Sequence, residues 1–460
     1  MGLEIRGSDI VVVGAGRSGL ALARYLAAAG ARVTLSDQRR AAALAGLEEL
    51  AAAGVAFDLG GHSEARFAAA DLIVISPGVP LNLPALAAAA GRGTPIIGEI
   101  ELAFQQLSAP LVAVAGTNGK STVTTLIGLI FSHWGKKTFV GGNLGTPLIS
   151  AAAEKDWEWI VAEVSSFQLE AIRTFRPRCG LLLNITEDHL DRYPDMASYA
   201  AAKANLFMNM EKTDTAVLNA DDPRVMALAQ GIRARRVLFS AQGEMSVGIG
   251  FNGREIVWRG FGEERRFAVA ELRLRGLHNV ENVMASLIPA LLAGCPPPMA
   301  WQAVCSFSGL EHRMALVCVL DGVSWYNDSK GTNVGSVIKS LAGLAPPVTL
   351  IAGGKDKGGD YAPLRPLVAD KVRHLVLIGQ AAERMAEAFQ DVTCVHRATD
   401  LRHAVERARE VTPAGGSVLL SPACSSFDMF TSFEDRGRQF TELVLACEEK
   451  LDAATSGSTI

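Results

Sequence analysis

The chain has 460 residues, of which 49% are hydrophobic and 20% charged, and its formal net charge at pH 7 is -4. This composition excludes a disordered chain and allows about two to four domains. Because both signs of charge are mixed along the sequence, we expect neither a nucleic-acid-binding surface nor a polybasic patch for a membrane.

Apolar, strand-like runs alternate with Ala- and Leu-rich helical stretches, which predicts an α/β fold with parallel, doubly wound sheets. In chain order, the strands are predicted at VVVG, ARVTLS, LIVIS, LVAVAG, WIVAEV, CGLLLNI, TAVLNA, VTLIAGG, HLVLIG and SVLLSP. Their grouping predicts three domains, at residues 1–98, 99–309 and 310–460. The Ala-rich tract 41–53 is predicted to be a helix, since Ala and Leu are strong helix formers.

The first strand runs into a glycine loop, VVVGAGRSGL, in which Gly14, Gly16 and Gly19 form a G-x-G-x-x-G pattern. Asp37 follows the next strand, where an acidic residue binds a ribose in dinucleotide sites. The same turn also occurs where a strand simply joins a helix. A nicotinamide-dependent dehydrogenase is one function that this loop could serve.

A second glycine loop lies in LVAVAGTNGKSTVTTLIGL, with a GxxGKS core at residues 116–121. Val114 stands where a full Walker A motif has a further glycine, so this is a shortened phosphate loop. Its backbone N–H groups can cradle phosphates, Lys120 adds a positive charge, and the Ser121 or Thr122 hydroxyl can reach Mg²⁺. A dehydrogenase has no use for this loop, so the chain is predicted to spend ATP on a substrate with its own nucleotide.

Candidate polar residues then occur in three stretches after the phosphate loop. Glu163 ends WIVAEV, and Asp188, His189 and Asp191 come after CGLLLNI, while Lys203 is the one cation of the helix SYAAAKANLF. Ligands of open α/β sheets lie at the carboxyl ends of strands, so Glu163 and His189 could face a triphosphate and its Mg²⁺. Taken singly, each could be a surface or packing residue; together, behind a phosphate loop, they predict an active site.

The seven cysteines are scattered, and no C-x-x-C pair occurs. This usage predicts neither a disulfide framework nor a zinc knuckle, and it fits a reducing cytoplasm. The first residues, MGLEIRGSD, carry both signs of charge and lack the apolar core of a signal peptide. We therefore expect a cytoplasmic protein, and a monomer because no coiled-coil pattern occurs.

Ten strings in chain order resemble those of the Mur ligase family and extend over nearly the whole sequence. They are GTNGKST, GGNLGTPL, EVSSFQLE, NITEDHLDRY, NADDP, LHNVENVMAS, GLEHRM, NDSKGTNVGS, AGGKDKGGDY and LSPACSSFDMF. NDSKGTN favours the branch of the family that adds D-glutamate. Sister ligases that add L-alanine, a diamino acid or, on folate, glutamate are the nearest alternatives, and the first glycine loop disfavours the folate branch. A non-catalytic nucleotide sensor would be expected to lose Lys120, Glu163 or His189.

The resemblance implies three α/β domains. An N-terminal Rossmann-like domain would hold the UDP part of the substrate, so the first glycine loop would serve a UDP-sugar and not a nicotinamide. A central P-loop-type domain would bind ATP and Mg²⁺. A C-terminal Rossmann-like domain would close over ATP and bind the incoming amino acid.

The resemblance also implies the residues of each site. The UDP-substrate residues would be Gly14, Arg17, Ser18, Asp37, Arg39, Ser76, Pro77, Gly78 and Asn143. The ATP residues would be Gly116, Thr117, Asn118, Gly119, Lys120, Ser121, Thr122, Asn279, Asn282, Arg313, Asp328 and Lys330. The D-glutamate residues would be Thr332, Lys357, Ser426 and Phe433, with Lys355 as an alternative to Lys357. The metal residues would be Ser121 and Glu163 for one Mg²⁺, and His189 for a second, together with Lys203 as a carbamate formed with CO₂.

The implied reaction joins the carboxylate of UDP-N-acetylmuramoyl-L-alanine to the amine of D-glutamate. Because a carboxylate has a poor leaving group, ATP first converts it to an acyl phosphate, and the amine then displaces phosphate through a tetrahedral intermediate. Lys120, Glu163, His189 and Lys203 form the implied catalytic set. The work of these residues is mainly positioning and charge neutralisation.

Overall fold

The computed structural model describes residues 4–456, except Asp191, Phe261 and Arg275, and side chains only as far as residue 447. Asp191, named above beside His189, therefore lies outside the described residues. The chain divides into two compact units. The first consists of the described parts of Met1–Ile185, Tyr199–Leu272 and Val280–Ser306, and the second of those of Thr186–Ser198, Arg273–Asn279 and Phe307–Ile460.

The first sheet of the first unit has five parallel strands in the order β3-β2-β1-β4-β5. The strands are β1 (Asp9–Val13), β2 (Arg32–Asp37), β3 (Ala56–Leu59), β4 (Leu72–Ile75) and β5 (Ile96–Gly98), and the helices of this part are α1 (Arg17–Ala28), α2 (Leu47–Ala52), α3 (Glu64–Ala69), α4 (Pro84–Gly91) and α5 (Glu99–Gln106). The order reverses between β1 and β4. In such sheets the crevice at the reversal is the usual place for a ligand.

The Ala-rich tract departs from the predicted single helix. Residues Ala41–Ala43 form one 3₁₀ turn, and α2 begins only at Leu47. Gly46 between them has a φ of 78°, in the left-handed region that interrupts a right-handed helix. The composition of the tract was therefore a poor guide, since one glycine decided the local conformation.

The second sheet of the first unit has nine strands in the order β14-β13-β12-β11-β10-β9-β6-β8-β7. The strands are β6 (Leu111–Ala115), β7 (Thr138–Gly142), β8 (Trp159–Glu163), β9 (Cys179–Leu182), β10 (Thr215–Asn219), β11 (Arg235–Ser240), β12 (Gly248–Phe251), β13 (Glu255–Gly260) and β14 (Glu263–Ala268). The helices of this stretch are α6 (Lys120–His133), α7 (Ser166–Leu169), α8 (Met196–Ala204), α9 (Pro223–Ala229), α10 (Leu277–Leu292) and α11 (Pro297–Ser306). Every residue of β6 is buried, which explains its unbroken apolar sequence.

One strand of this sheet, β13, contradicts the prediction of purely parallel sheets. β13 pairs antiparallel with both β12 and β14. β14 has the sequence EERRFA, and its first four residues are exposed. A strand that faces water lacks the apolar run by which buried strands are recognised, so this edge of the sheet gave no signal.

The sheet of the second unit has six strands in the order β15-β16-β20-β17-β18-β19. The strands are β15 (Ala315–Leu320), β16 (Val323–Asn327), β17 (Val348–Gly353), β18 (Val372–Ile378), β19 (Cys394–Arg397) and β20 (Ser417–Leu420), and the helices are α12 (Val334–Ala342), α13 (Arg365–Lys371), α14 (Ala382–Phe389), α15 (Leu401–Val411) and α16 (Phe433–Ser456). Leu375 and Leu377 of β18 face one apolar core, whereas Val376 and Ile378 face another. The sheet is thus buried on both faces, and only β15 runs antiparallel to its neighbour. Among the described helices, none is both long and apolar enough to cross a membrane.

Two buried glutamates of α5 differ in their hydrogen bonds, and this difference predicts opposite responses of stability to pH. Burial raises the pKa of Glu99 from 4.5 to about 7, although the Ile149 backbone N–H donates to it at 2.8 Å. The folded chain therefore binds a proton that the unfolded chain has lost. The contribution of protonated Glu99 to the free energy of unfolding is complete below pH 4.5. This contribution falls by about 3 kcal/mol as the pH rises to about 7. We expect Glu99→Gln to remove this fall, measured by urea denaturation at pH 5 and pH 8.

Glu101 provides the matched control. Its burial acts to raise its pKa, but the hydroxyl of Thr174 and the backbone N–H groups of Arg173 and Thr174 donate to the carboxylate and hold the pKa below its usual value. Its contribution is present at neutral pH and is lost as the pH falls. Glu101→Gln should therefore destabilise the chain at pH 8, opposite to Glu99→Gln. Equal effects of the two substitutions at pH 8 would contradict this assignment.

Candidate functional site

The second glycine loop joins β6 to the amino end of α6, as its sequence predicts. Gly116 and Gly119 have φ values of 146° and 85°, which favour glycine. A Cβ on Gly119 would also overlap the Oδ1 atom of Asn282. This loop therefore leads directly into the amino end of the 14-residue helix α6, an arrangement that binds phosphate.

Two lysine ammonium groups meet at one carbonyl of this loop. Lys120 Nζ donates to the carbonyl oxygens of Gly116 at 3.0 Å and of Thr117 at 2.9 Å. Lys203 Nζ reaches the same Gly116 oxygen at 2.9 Å from α8. Lys203 is only 2% exposed and lies over the ring of Tyr199, 4.4 Å from its centroid. The Tyr199 hydroxyl lies 3.3 Å from the Thr117 hydroxyl.

Glu163 at the end of β8 contacts two of the other predicted site residues. Its Oε2 accepts a hydrogen bond from the Ser121 hydroxyl at 2.6 Å, and its Oε1 accepts from Asn143 Nδ2 at 2.6 Å. Glu163 is 1% exposed and Ser121 2% exposed. A carboxylate and a hydroxyl held together beside a phosphate loop suit Mg²⁺, which prefers oxygen ligands. The residues present therefore fit a magnesium ion bound with a triphosphate.

Asn184, at the end of β9, was missed by the sequence reasoning. Its side chain accepts from the Asn118 N–H at 2.8 Å and donates to the Asn118 carbonyl at 3.0 Å, while its own carbonyl accepts from the Thr117 N–H. It thus fixes the middle of the phosphate loop. The asparagine stands in NITEDHLDRY, but a polar residue at a strand end says nothing by itself about which loop it contacts.

The first glycine loop packs against the turn after β4. Gly14 has a φ of 94°, and its carbonyl oxygen accepts from the Ser76 hydroxyl at 3.0 Å. A Cβ on Gly19 would overlap the Gly14 carbonyl, so α1 can approach β1 only with glycine there. Ser76 also closes a turn over Pro77 and Gly78, in which its carbonyl accepts from the Val79 N–H.

Asp37, at the end of β2, is held by Arg39 and by the glycine loop. The Arg39 guanidinium donates to both carboxylate oxygens, at 3.0 and 2.9 Å, and the Ala15 N–H donates to Oδ2 at 2.7 Å. These contacts lower the pKa of Asp37 to about 2, with Arg39 the largest cause. In a nicotinamide site this carboxylate would face the ribose. Here an arginine covers it, which presents a positive group to an anionic ligand and argues against the dehydrogenase hypothesis.

Arg17 and Ser18 lie in the first turn of α1. Arg17 is exposed, and its Nη1 donates to the Gly145 carbonyl at 3.0 Å. Gly145 belongs to the same loop as Asn143, whose N–H donates to the Glu163 carbonyl at 2.8 Å. The first unit therefore brings the two glycine loops and the GGNLGTPL loop into one connected arrangement.

Asp188 lies at the centre of a small polar cluster in the second unit. Lys357 Nζ donates to its Oδ1 at 3.0 Å, and Asn333 Nδ2 donates to its Oδ2 at 3.1 Å. His189 follows with a φ of 58°, and its N–H also donates to Asp188 Oδ1. Lys355 is exposed, and its backbone forms an isolated β-bridge with Ser425. Of the two candidate lysines, Lys357 is thus the one that the fold directs to this cluster.

Asp328, another predicted ATP residue, is buried in the second unit. Its Oδ2 accepts from the hydroxyls of Ser421 at 2.6 Å and Ser340 at 2.7 Å. Burial raises the pKa of Asp328 to about 6, and the charge of the half-buried Arg313 acts in the opposite direction. Lys330 follows on the same loop, with Nζ 3.6 Å from the centroid of the Phe433 ring.

Arg436 of α16 is a second residue that sequence reasoning missed. It is fully buried, and it donates to the Ser329 hydroxyl at 2.9 Å and the Ser329 carbonyl at 2.8 Å. It also reaches the Cys424 carbonyl at 3.4 Å, so one side chain joins the NDSKGTN and SPACSSFD strings. Burial lowers its pKa to about 10. An arginine between other charged residues in SFEDRGRQF gives no sign of burial.

The predicted residues fall into two groups according to unit. The first unit holds the UDP-substrate residues and the phosphate loop from Gly116 to Thr122. It also holds Glu163, Lys203 and Asn282. The second unit holds His189, Asn279, Arg313, Asp328, Lys330, Thr332, Lys357, Ser426 and Phe433. Ser426 is 2% exposed, and its carbonyl accepts from the Phe430 N–H at 2.8 Å, while the Thr332 N–H donates to the Lys330 carbonyl. The roles of these residues stay predictions.

Comparisons with known proteins agree along nearly the whole chain. Family models match in order: the Mur ligase MurD-like, N-terminal domain over residues 8–98, the Mur ligase middle domain over residues 114–290, and the Mur ligase, glutamate ligase domain over residues 312–424. The UDP-N-acetylmuramoylalanine–D-glutamate ligase of Syntrophotalea carbinolica is 60% identical over 445 residues, which cover 97% of this chain and 99% of the relative. The chain belongs to the Mur ligase family. A ligase of the same name from Geobacter metallireducens is 53% identical and covers 96% of this chain and 98% of its own.

Solved Mur ligases share the fold at low sequence identity. The UDP-N-acetylmuramate-alanine ligase of Thermotoga maritima matches with a TM-score of 0.61 at 18% identity, covering 96% of this chain and 100% of that one. A MurF ligase of the same organism, solved with ADP, matches with a TM-score of 0.59 at 15% identity, covering 96% and 95%. The predicted three-domain α/β Mur ligase fold is therefore confirmed. The domain limits at 98 and 309 stay predictions.

Proposed function

We propose that this Mur ligase joins D-glutamate to UDP-N-acetylmuramoyl-L-alanine at the expense of ATP, in the synthesis of a peptidoglycan precursor. One observation carries the proposal: the phosphate loop and the Ser121–Glu163 pair occur in a chain that is 60% identical, over nearly its full length, to a ligase of that name. The seven cysteines are all free, which supports a reducing compartment, and we place the reaction in the cytoplasm.

The phosphate loop would bind and orient ATP. The N–H groups at the start of α6 suit the phosphate oxygens, and Lys120 can turn from the Gly116 and Thr117 carbonyls to a phosphate within the same loop. Phosphoryl transfer to the substrate carboxylate gives an acyl phosphate and ADP. Attack by the amine of D-glutamate then gives a tetrahedral intermediate, which releases phosphate as the amide forms. These residues contribute mainly position and positive charge.

Ser121 and Glu163 would hold a magnesium ion, which neutralises phosphate charge when it is bound. Asn143 keeps the Glu163 carboxylate in place through its 2.6 Å hydrogen bond. Lys203 is buried beside the same loop, a location that suits its assignment as a carbamate, since a lysine in such a place can lose its proton and become nucleophilic. His189 is assigned to a second metal ion.

The Asp188 cluster would receive D-glutamate in the second unit. Lys357 offers an ammonium group to a substrate carboxylate, and its present partner, Asp188, is 8% exposed at the side chain. Thr332 and Ser426 lie on the two strings that Arg436 joins, so their relative position depends on that arginine. Substitution of Arg436 should therefore disturb this pocket indirectly, by moving Thr332 and Ser426 relative to each other.

The test is phosphate release from ATP in the presence of UDP-N-acetylmuramoyl-L-alanine and Mg²⁺, with D-glutamate added or omitted. We expect release to require both substrates and to prefer D-glutamate over L-glutamate and L-alanine. Release with another amino acid instead would assign the chain to a sister ligase of the same family. Release that needs neither substrate would contradict the proposal.

Substitution of the two candidate lysines separates their roles. We expect Lys357→Ala to raise the KM for D-glutamate by about 10- to 100-fold, because one charge-assisted hydrogen bond contributes about 1.5–3 kcal/mol. Lys355→Ala is the matched control and should change this KM little, since Lys355 is exposed and held by its backbone. Initial rates over a range of D-glutamate concentrations measure both. A larger effect of Lys355→Ala would exchange the two assignments.

A further inference from the structure

Two histidines and a cysteine cluster at the edge of the second unit's sheet, away from the residues assigned above. His374 lies on β18, and Cys394 and His396 lie on the edge strand β19. In the parallel register His374 is opposite Cys394, and Val376 is opposite His396. Because alternate residues of a strand share a face, all three side chains point to the same side of the sheet. This is the side on which Val376 packs against Leu401 and Val405 of α15.

The spacing of the three side chains fits a metal ion. Their ligand atoms all lie within 4.8 Å of one another. The distance from His374 Nδ1 to His396 Nε2 is 3.1 Å, and from Cys394 Sγ to His396 Nε2 it is 3.6 Å. Tetrahedral zinc, with Zn–N near 2.05 Å and Zn–S near 2.3 Å, separates two nitrogens by about 3.3 Å and a nitrogen and a sulfur by about 3.6 Å. Both of these distances agree with this geometry.

The exposure of the cluster suits a metal ion, and two arginines lie near it. Burial, the neighbouring His396 and the charges of Arg373 and Arg407 lower the pKa of His374, and burial and Arg407 lower that of His396. Cys394 is exposed, so an ion can enter from solvent. The two arginines oppose a dication, and the thiolate formed on binding offsets part of that repulsion.

We propose that His374, Cys394 and His396 form a binding site for a thiophilic divalent cation, with Zn²⁺ as its natural type and a water molecule in the fourth position. Binding releases the Cys394 thiol proton to solvent. β19 is the edge strand, and backbone hydrogen bonds already join it to β18. A bound ion would add a second link between the two strands, through their side chains. The cluster lies towards the amino ends of these strands, whereas Lys357 and Ser426 follow the carboxyl ends of β17 and β20.

Arg407 sets the affinity of this site. Its Nε donates to His396 Nδ1 at 3.2 Å, so the neutral ring carries its proton on Nε2 and directs it at His374. A metal on Nε2 moves that proton to Nδ1, which then needs an acceptor where Arg407 now offers a donor. Arg407 must turn away, and its 2.8 Å ion pair with Glu410 gives it another partner. Removing this donor should therefore tighten binding.

The site can be tested with cobalt(II), which reports thiolate ligation by a charge-transfer absorption band. The full-length protein is titrated with Co²⁺ in excess Mg²⁺, so that oxygen-ligand sites are already filled. We expect the band at one equivalent of Co²⁺, its loss in Cys394→Ser, and its retention in the control Cys447→Ser. Arg407→Gln should lower the Co²⁺ dissociation constant about tenfold, the size of effect usual for a group next to a metal ligand.

A second measurement uses zinc itself. One equivalent of Zn²⁺ should slow alkylation of Cys394, identified by mass spectrometry, by about tenfold or more, and His396→Gln should abolish this protection while leaving the fold intact, since His396 is only half-buried. A band of equal strength in Cys394→Ser, or no band and no protection in the unchanged protein, would overturn the proposal. These readouts do not use ligase activity, so they are independent of the proposed function.

Discussion

Replacement of Lys203 by alanine is expected to reduce phosphate release by about two to three orders of magnitude, the usual loss when one charged group is removed from an active site. Lys203 is 2% exposed, and its Nζ lies 2.9 Å from the carbonyl oxygen of Gly116. A fully buried lysine is rare in proteins, so its place in contact with a phosphate loop suggests a role in the chemistry as well as in the structure. The proposed carbamate would turn this side chain into an anion beside the phosphate loop, where it could help to hold a metal ion.

A short carboxylate distinguishes this role from a structural one. Alanine at 203 leaves a cavity beside the loop, so we expect acetate or formate to restore part of the activity by placing an anion there. The matched control is Lys212→Ala, since Lys212 is exposed on the same part of the chain. Thermal unfolding of both variants checks that they remain folded. Full activity of folded Lys203→Ala, or activity lost with no response to carboxylates and with a large fall in stability, would remove the assignment.

Replacement of Glu163 by glutamine is expected to lower the maximal rate by about 10²- to 10³-fold and to raise the Mg²⁺ concentration needed for half-maximal activity. Glutamine keeps the shape of the side chain but removes its charge. It also places an amide N–H₂ towards either the Ser121 hydroxyl or the Asn143 amide, which now donate to the two carboxylate oxygens at 2.6 Å. One of those donors is then left without an acceptor.

The measurement is the rate of phosphate release against Mg²⁺ concentration at saturating substrates. Glu158→Gln is the matched control, because Glu158 pairs with Lys136 at the surface just before β8. We expect that control to keep both its rate and its Mg²⁺ requirement. A Glu163→Gln enzyme with unchanged dependence on Mg²⁺ would show that this carboxylate positions the loop and does not hold the ion.

The sequence was informative wherever structure and chemistry are encoded locally. The buried strands β1, β6 and β17 are continuous apolar runs, so their positions and the loops that follow them could be predicted. The phosphate loop needs glycines at positive φ, a lysine and a hydroxyl within a few residues, and all of these can be read from GTNGKST.

Exposed strands and contacts between distant segments could not be predicted. β14 is polar on its exposed residues, and no periodicity distinguishes it from a loop. Asn184 meets the phosphate loop 66 residues earlier in the chain, Lys357 meets Asp188 across 169 residues, and Arg436 meets Ser329 across 107. Each contact depends on strand order and on which strand ends lie side by side. His374, Cys394 and His396 are a final example, because 20 residues separate His374 from its register partner Cys394, and only the pairing of β18 with β19 places the three ligand atoms within reach of one ion.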